Sequence, residues 1–206
     1  MQKKRTYIFA SFLLLSGILG YNYYQKIFGK AITKETILFV YSSDTLLDIK
    51  NKISKFSSKN EAFLMVAAKK DFSKPKSGRY LLKKDMSNND LVNLLRSGSQ
   101  TPIKLSFNNQ DTLEKLAGRV AQQLETDSIS LLNSFIDSTF LSKNNLTEAS
   151  VLQIFIPNSY EFYWNTSPRK FRDKMLKEYH LFWNSSRSKK AVALNYLNQK
   201  LLLWLP

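Results

Sequence analysis

The densest concentration of groups able to bind or react lies at residues 155–167, FIPNSYEFYWNTS. Tyr160, Phe162, Tyr163 and Trp164 stand there beside Asn158, Ser159, Asn165 and Thr166, with Glu161 as the one carboxylate and no Lys or Arg. Aromatic faces beside amides and hydroxyls suit a cleft that stacks on sugar rings and reads their hydroxyls, since pockets combine an apolar wall with a few placed polar groups. The same residues also suit a Pro-Asn turn whose aromatics are core, because aromatics are buried for their area. Local chemistry leaves both open. Elsewhere the chain offers little to react with: it has no cysteine and one histidine. A disulfide framework, a thiolate nucleophile and zinc sites built from His and Cys are therefore excluded. His180 follows Lys177, Glu178 and Tyr179 in a helical run and reads as an ordinary helix residue. Acid–base chemistry falls to a carboxylate, and no metal site is expected.

The elements that position this stretch follow from patterning. With 206 residues, 43% of them hydrophobic, the chain can bury a core despite a net charge of +15, so global disorder is ruled out. The basic excess implies anionic company such as lipid headgroups, nucleic acid or an acidic wall polymer. It is dispersed, with no Arg-rich block or RNA-recognition signature, so nucleic acid is not an expected partner.

Residues 1–6 form a basic tail before the uncharged run 7–24, YIFASFLLLSGILGYNYY. Eighteen helical residues would span about 27 Å, close to the hydrocarbon core. The run reads as a transmembrane helix with the basic tail in the cytoplasm, an interfacial belt of Tyr21, Tyr23 and Tyr24, and the bulk outside. A cleaved signal peptide is the rival reading, disfavoured by bulky tyrosines where small residues should precede cleavage. Residues 25–34 read as a stalk. A strand at 36–41, a helix capped by Ser43 or Asp44, a helix at 61–70, a strand at 79–82, a helix opened by Ser87 and Asp90, and a strand at 101–107 make an α+β lobe over 35–107. From Asp111 the texture is helical: Asp111 and Glu114 suggest a capping box, another helix covers 129–136, and Ser167 caps a helix with Pro168 at its first position. On that helix Phe171, Met175, Tyr179, Phe182 and Trp183 are expected to face inward and Arg169, Lys170, Arg172 and Lys177 outward.

Gly78-Arg79-Tyr80, then MSNNDLVNLLRSGSQTPIKLSF, then FIPNSYEFYWNTS, in that order behind an N-terminal apolar run, resemble the endolytic murein transglycosylases, the YceG-like or MltG family. The resemblance covers essentially the whole chain. It implies an α+β protein of the bacterial inner membrane with a LysM-like glycan-binding lobe at 35–107 and a catalytic lobe beginning at 108–206. Peptidoglycan glycan strands would be the substrate and cell-wall synthases candidate partners, with no cofactor. Such enzymes cut nascent strands to 1,6-anhydro-muramyl ends. By resemblance, Pro157, Asn158, Ser159 and Tyr160 shape the substrate cleft, with Ser159 standing where threonine is usual.

The family's catalytic glutamate sits in a motif resembling VTTLASIVEKE, which this chain lacks. After Lys200 the sequence reads LLLWLP. Loss of one G from AAG GTT ACT ACT CTG GCT TCC ATA G, which encodes the family-like continuation, yields these six residues and a stop. A frameshift is therefore expected, with a short buried strand at a natural terminus as the alternative. The catalytic glutamate would then lie beyond the C terminus, leaving Glu161 as a weak substitute and the chain an inactive transglycosylase. The other reading is a non-catalytic peptidoglycan-binding membrane protein.

Overall fold

The computed structural model describes residues 2–193; the LLLWLP tail lies outside the described residues. The chain divides into two compact units, Met1–Thr101 and Pro102–Pro206. Each holds a two-stranded antiparallel sheet and its own apolar core.

In the first unit, β1 (Thr36–Val40) pairs with β2 (Gly78–Leu82) in the register Thr36↔Leu82 to Val40↔Gly78. Helices α2 (Leu46–Ile53) and α3 (Glu61–Lys69) lie between them in sequence, and α4 (Asn88–Ser97) follows. Strand alternation sends Leu38, Val40, Tyr80 and Leu82 inward onto Ile49, Ile53, Phe63, Val66, Leu91 and Leu95. The buried Tyr80 donates its hydroxyl to the Lys76 carbonyl at 2.7 Å, which satisfies its polar atom. At Gly78 φ is +152°, and a Cβ there would stand 2.3 Å from the Gln100 side chain, so the turn into β2 requires glycine.

The sequence placed α4 well: Ser87 and Asp90 form a reciprocal capping box and Gly98 closes the helix in the left-handed conformation. The cap of α2 is Thr45, boxed with Asp48, rather than Ser43 or Asp44. Asp44 instead accepts from the Tyr41 amide at 2.6 Å and pairs with Lys52.

The expected transmembrane helix is not supported. Residues 7–24 belong to α1 (Gln2–Phe28), and among the described residues no helix is long and apolar enough to cross a membrane. Ser11, Ser16, Gly17, Gly20 and Asn22 break its apolar run, and the tyrosines at 21, 23 and 24 dilute the rest. With it falls the placement as a single-pass inner-membrane protein with its N terminus in the cytoplasm and its bulk outside. Nor do residues 25–34 form a separate stalk. Asn88 donates to the Lys26 and Lys59 carbonyls, both at 3.0 Å, and Ala31 and Ile32 are buried.

In the second unit β3 (Ile103–Phe107) pairs with β4 (Asn158–Phe162), Ile103 opposite Phe162 and Phe107 opposite Asn158. The strand that the pattern set at the end of the first lobe thus pairs within the second unit. Between the strands run α5 (Leu113–Ala121), α6 (Ser128–Phe135), α7 (Ser138–Lys143) and a 3-10 turn at Val151–Ile154; α8 (Pro168–Phe182) and α9 (Ser185–Ala193) follow. Thr112, one residue after the expected Asp111, caps α5, while Asp111 pairs with Lys115 at 2.8 Å. Asp127, Asp137 and Ser167 cap α6, α7 and α8.

Phe171 on α8 is the hub of this core, with ring centroids of Phe107, Phe135, Phe155 and Phe162 between 5.1 and 6.5 Å from its own. Arg172, expected outside, is only 6% exposed. Its guanidinium stacks 3.8 Å from the Phe140 ring centroid, donates to the Ser134 carbonyl at 2.8 Å and pairs with Asp173. A planar cation with donors on its rim can be buried this way because its face tolerates an aromatic while its edge finds oxygen. At the far end of α8, Phe182 is exposed rather than inward.

Candidate functional site

The β3/β4 register sorts the central stretch into two faces. Tyr160 and Phe162 share the inner face with Ile103, Leu105 and Phe107; Ser159 and Glu161 share the outer one with Ser106 and Lys104. Tyr160 stacks on Phe107 at 5.9 Å and donates its hydroxyl to the Ile156 carbonyl at 2.7 Å. Burial, with the nearby Glu178 charge, pushes its phenol up to about 12. Tyr160 is thus packed against the core, with its hydroxyl proton already committed. Phe162 and Trp164 are also buried, while Tyr163 between them is 53% exposed. The two readings of this stretch therefore divide it: part is core and part faces solvent.

The turn before β4 opens onto a groove of about 760 Å³ lined by Ser106, Phe107, Asn108, Arg119, Pro157, Asn158 and Ser159. It brings together three of the four expected cleft residues, Pro157, Asn158 and Ser159; Tyr160 is not part of its lining. Gln123 holds the neighbouring strand by accepting from the Ser106 amide at 3.0 Å and donating to the Ser106 carbonyl at 2.9 Å. The Asn158 side-chain carbonyl accepts from the Ser159 amide at 2.7 Å, so its amide nitrogen is the atom left for a ligand. Arg119, on the solvent side of α5, adds a cation. Hydroxyls, amides and one guanidinium around an apolar floor fit a polyhydroxylated ligand bearing anionic groups.

A family model for the YceG-like family matches residues 39–204. The chain belongs to that family. No curated protein matches this YceG-like chain. Among solved structures, the crystal structure of the yceG-like protein lmo1499 from Listeria monocytogenes is similar to it, with a TM-score of 0.42 and 16% identity over 79% of this chain. The chain spans 59% of the length of that protein.

In this YceG-like chain Glu161 does not join the groove of Asn158. It lines a smaller one, of about 370 Å³, with Pro102, Phe162, Tyr163, Thr166, Lys170 and Lys174. Among the described residues no group of three His, Cys, Asp or Glu side chains could hold a metal ion. His180 is exposed on α8 with its ring 5.7 Å from that of Tyr179. Sequence reasoning missed Ser106, Asn108 and Arg119. The alternation of TPIKLSF marks Ser106 as outward, but nothing local announces that β3 pairs with a strand some fifty residues later, and Arg119 reads as one more basic residue on a helix.

Proposed function

We propose that the chain binds peptidoglycan glycan strands through the groove of Asn158, Ser159, Ser106 and Arg119, and that it serves a lytic transglycosylase of the murein-cleaving type. The observation that carries this reading is the meeting of Pro157, Asn158 and Ser159 with Arg119 in one open groove, in a chain of the YceG-like family. Amide and hydroxyl groups would read sugar hydroxyls and acetamido groups, and Arg119 the carboxylates that wall strands carry.

The reaction would need one carboxylic acid. It gives its proton to the glycosidic oxygen as the C1–O bond breaks; the sugar's own 6-hydroxyl attacks C1, and its proton returns to the carboxylate. No water enters, unlike glycoside hydrolysis, where two carboxylates divide the work. Glu161 lines another groove, which favours binding over acid–base work for the central stretch. A peptidoglycan-binding role without cleavage is therefore the second reading, with the first unit as a further, LysM-like binding lobe.

The test uses the 206-residue chain and purified sacculi. Retention on sacculi that persists at 0.5 M salt (about three times physiological ionic strength) is expected, and Asn158→Ala should reduce it about tenfold. Release of anhydro-muropeptides identifies the enzyme; retention without release identifies the binding protein. Retention that collapses with salt and is blind to Asn158→Ala would reduce the chain to a general polyanion binder.

A further inference from the structure

The smaller groove has the makings of a ligand site in its own right. Its aromatic, Tyr163, is held outward between the buried Phe162 and Trp164, and the turn beneath is closed on the Tyr163 carbonyl by the Thr166 amide at 3.0 Å and the Thr166 hydroxyl at 2.6 Å. An exposed aromatic on a turn closed in this way offers a ring face to a ligand with little backbone left to order. Lys170 and Lys174 stand one helical turn apart on α8. Lys174 is committed, its ammonium 4.5 Å above the Phe162 ring and donating to the Glu161 carbonyl. Lys170 and the Glu161 carboxylate enter no ion pair among the described residues. The groove thus offers an aromatic platform, a carboxylate acceptor and an uncommitted ammonium.

Both grooves open at the ends of one strand. Asn158 begins β4 and Phe162 ends it, about 14 Å apart at the rise of an extended chain. The outer face between them is exposed and polar, with Ser106 opposite Ser159 and Lys104 opposite Glu161. We infer that the groove of Glu161, Tyr163 and Lys170 is a second saccharide subsite. One glycan strand lies along the outer face of β3 and β4, a pyranose ring stacks on Tyr163, Glu161 accepts from its hydroxyls, and Lys170 pairs with a carboxylate on a ring substituent. This rests on the reading of the Asn158 groove as a glycan site, and it adds direction, length and charge to that reading.

The experiment measures binding of the full chain to two defined series: neutral N-acetylglucosamine oligomers, and oligomers of equal length in which alternate rings carry the lactyl carboxylate of N-acetylmuramic acid. Tyr163→Ala is expected to weaken the longer oligomers of both series about tenfold and leave the shortest unchanged. Lys170→Gln should lower affinity for the acidic series alone, about threefold, while Lys177→Gln, the same charge change on an exposed part of α8, should do nothing. If Asn158→Ala weakens every oligomer while Tyr163→Ala and Lys170→Gln bind as the parent does, the second subsite is overturned and the first stands. If no oligomer binds, both fall together. Equal losses from Lys170→Gln and Lys177→Gln would also overturn the subsite, since they report general charge.

Discussion

The two units solve the same structural problem with one device and then diverge. Each pairs two five-residue strands, and each anchors its second strand with a tyrosine that donates to the carbonyl four residues earlier at 2.7 Å, Tyr80 to Lys76 and Tyr160 to Ile156. What differs is the outer face. On the first sheet it carries Ile37, Phe39, Arg79 and Leu81, mostly apolar; on the second it carries Lys104, Ser106, Ser159 and Glu161, polar and exposed. Packing decides the inner face of a small sheet, so the outer face is where a chain of this size can spend residues on recognition. The second sheet does so, and two grooves open at its ends.

The largest effect should come from deleting the hub of one core only. Phe171→Ala removes a fully buried ring that meets four others and should cost the second unit about 3–5 kcal/mol. All three tryptophans, Trp164, Trp183 and Trp204, follow Thr101, so indole fluorescence reports that unit and amide hydrogen exchange in α4 reports the other. Early loss of the fluorescence transition with unchanged exchange in α4 would show two independent cores. Parallel loss of both would mean that the two cores unfold as one cooperative unit.

A smaller effect tests the shared device. Burial pushes the phenols of both tyrosines up to about 12. A phenol that ionises near 10 in the unfolded chain and near 12 in the folded one contributes stability that is complete below pH 10 and is lost as pH rises towards 12. For the fully buried Tyr80 that amounts to about 2–3 kcal/mol, and less for the half-buried Tyr160. Tyr80→Phe should remove this alkaline loss from the first unit alone, and Tyr160→Phe from the second alone, in chemical denaturation at pH 9 and pH 11.5. An alkaline slope unchanged by either substitution would mean the hydroxyls gain no burial on folding.

What could be read in advance was local. The box of Ser87 and Asp90, the stop at Gly98, the cap at Ser167 with Pro168 after it, and the inward Phe171 and Met175 all rest on contacts within a few residues, where side-chain chemistry and period suffice. The misplaced features depend on distant partners. Arg172 lies on what the period makes an outer face, yet Phe140 and the Ser134 carbonyl from another helix bury it. The uncharged run 7–24 suggested a span by length, whereas its serines, glycines and asparagine leave α1 too polar. At the site, Pro157 to Ser159 could be named from the motif, but their neighbours Ser106 and Arg119 could not, because a long-range strand pair brings them together.

The smallest effect contrasts the helix entries. In α4 the exchange is reciprocal: the Ser87 hydroxyl accepts from the Asp90 amide at 3.2 Å and donates to the Asp90 carboxylate at 2.7 Å, which also accepts from the Ser87 amide at 3.1 Å. In α5 the Thr112 hydroxyl accepts from the Lys115 amide at 3.3 Å, with no reciprocal box. Ser87→Ala should therefore cost the first unit about 1–2 kcal/mol and Thr112→Ala the second about 0.5–1 kcal/mol. Acid separates the two further. The Ser87 hydroxyl, first among its hydrogen-bond partners, holds the Asp90 carboxyl below its usual range, so its contribution is present above the unfolded carboxyl pKa and is lost as pH falls through the folded one. Ser87→Ala should flatten that acid limb in the first unit as well as lower its plateau. A lowered plateau with the acid limb intact would assign the carboxylate's stabilisation to the α4 backbone amides and leave the hydroxyl as a spacer.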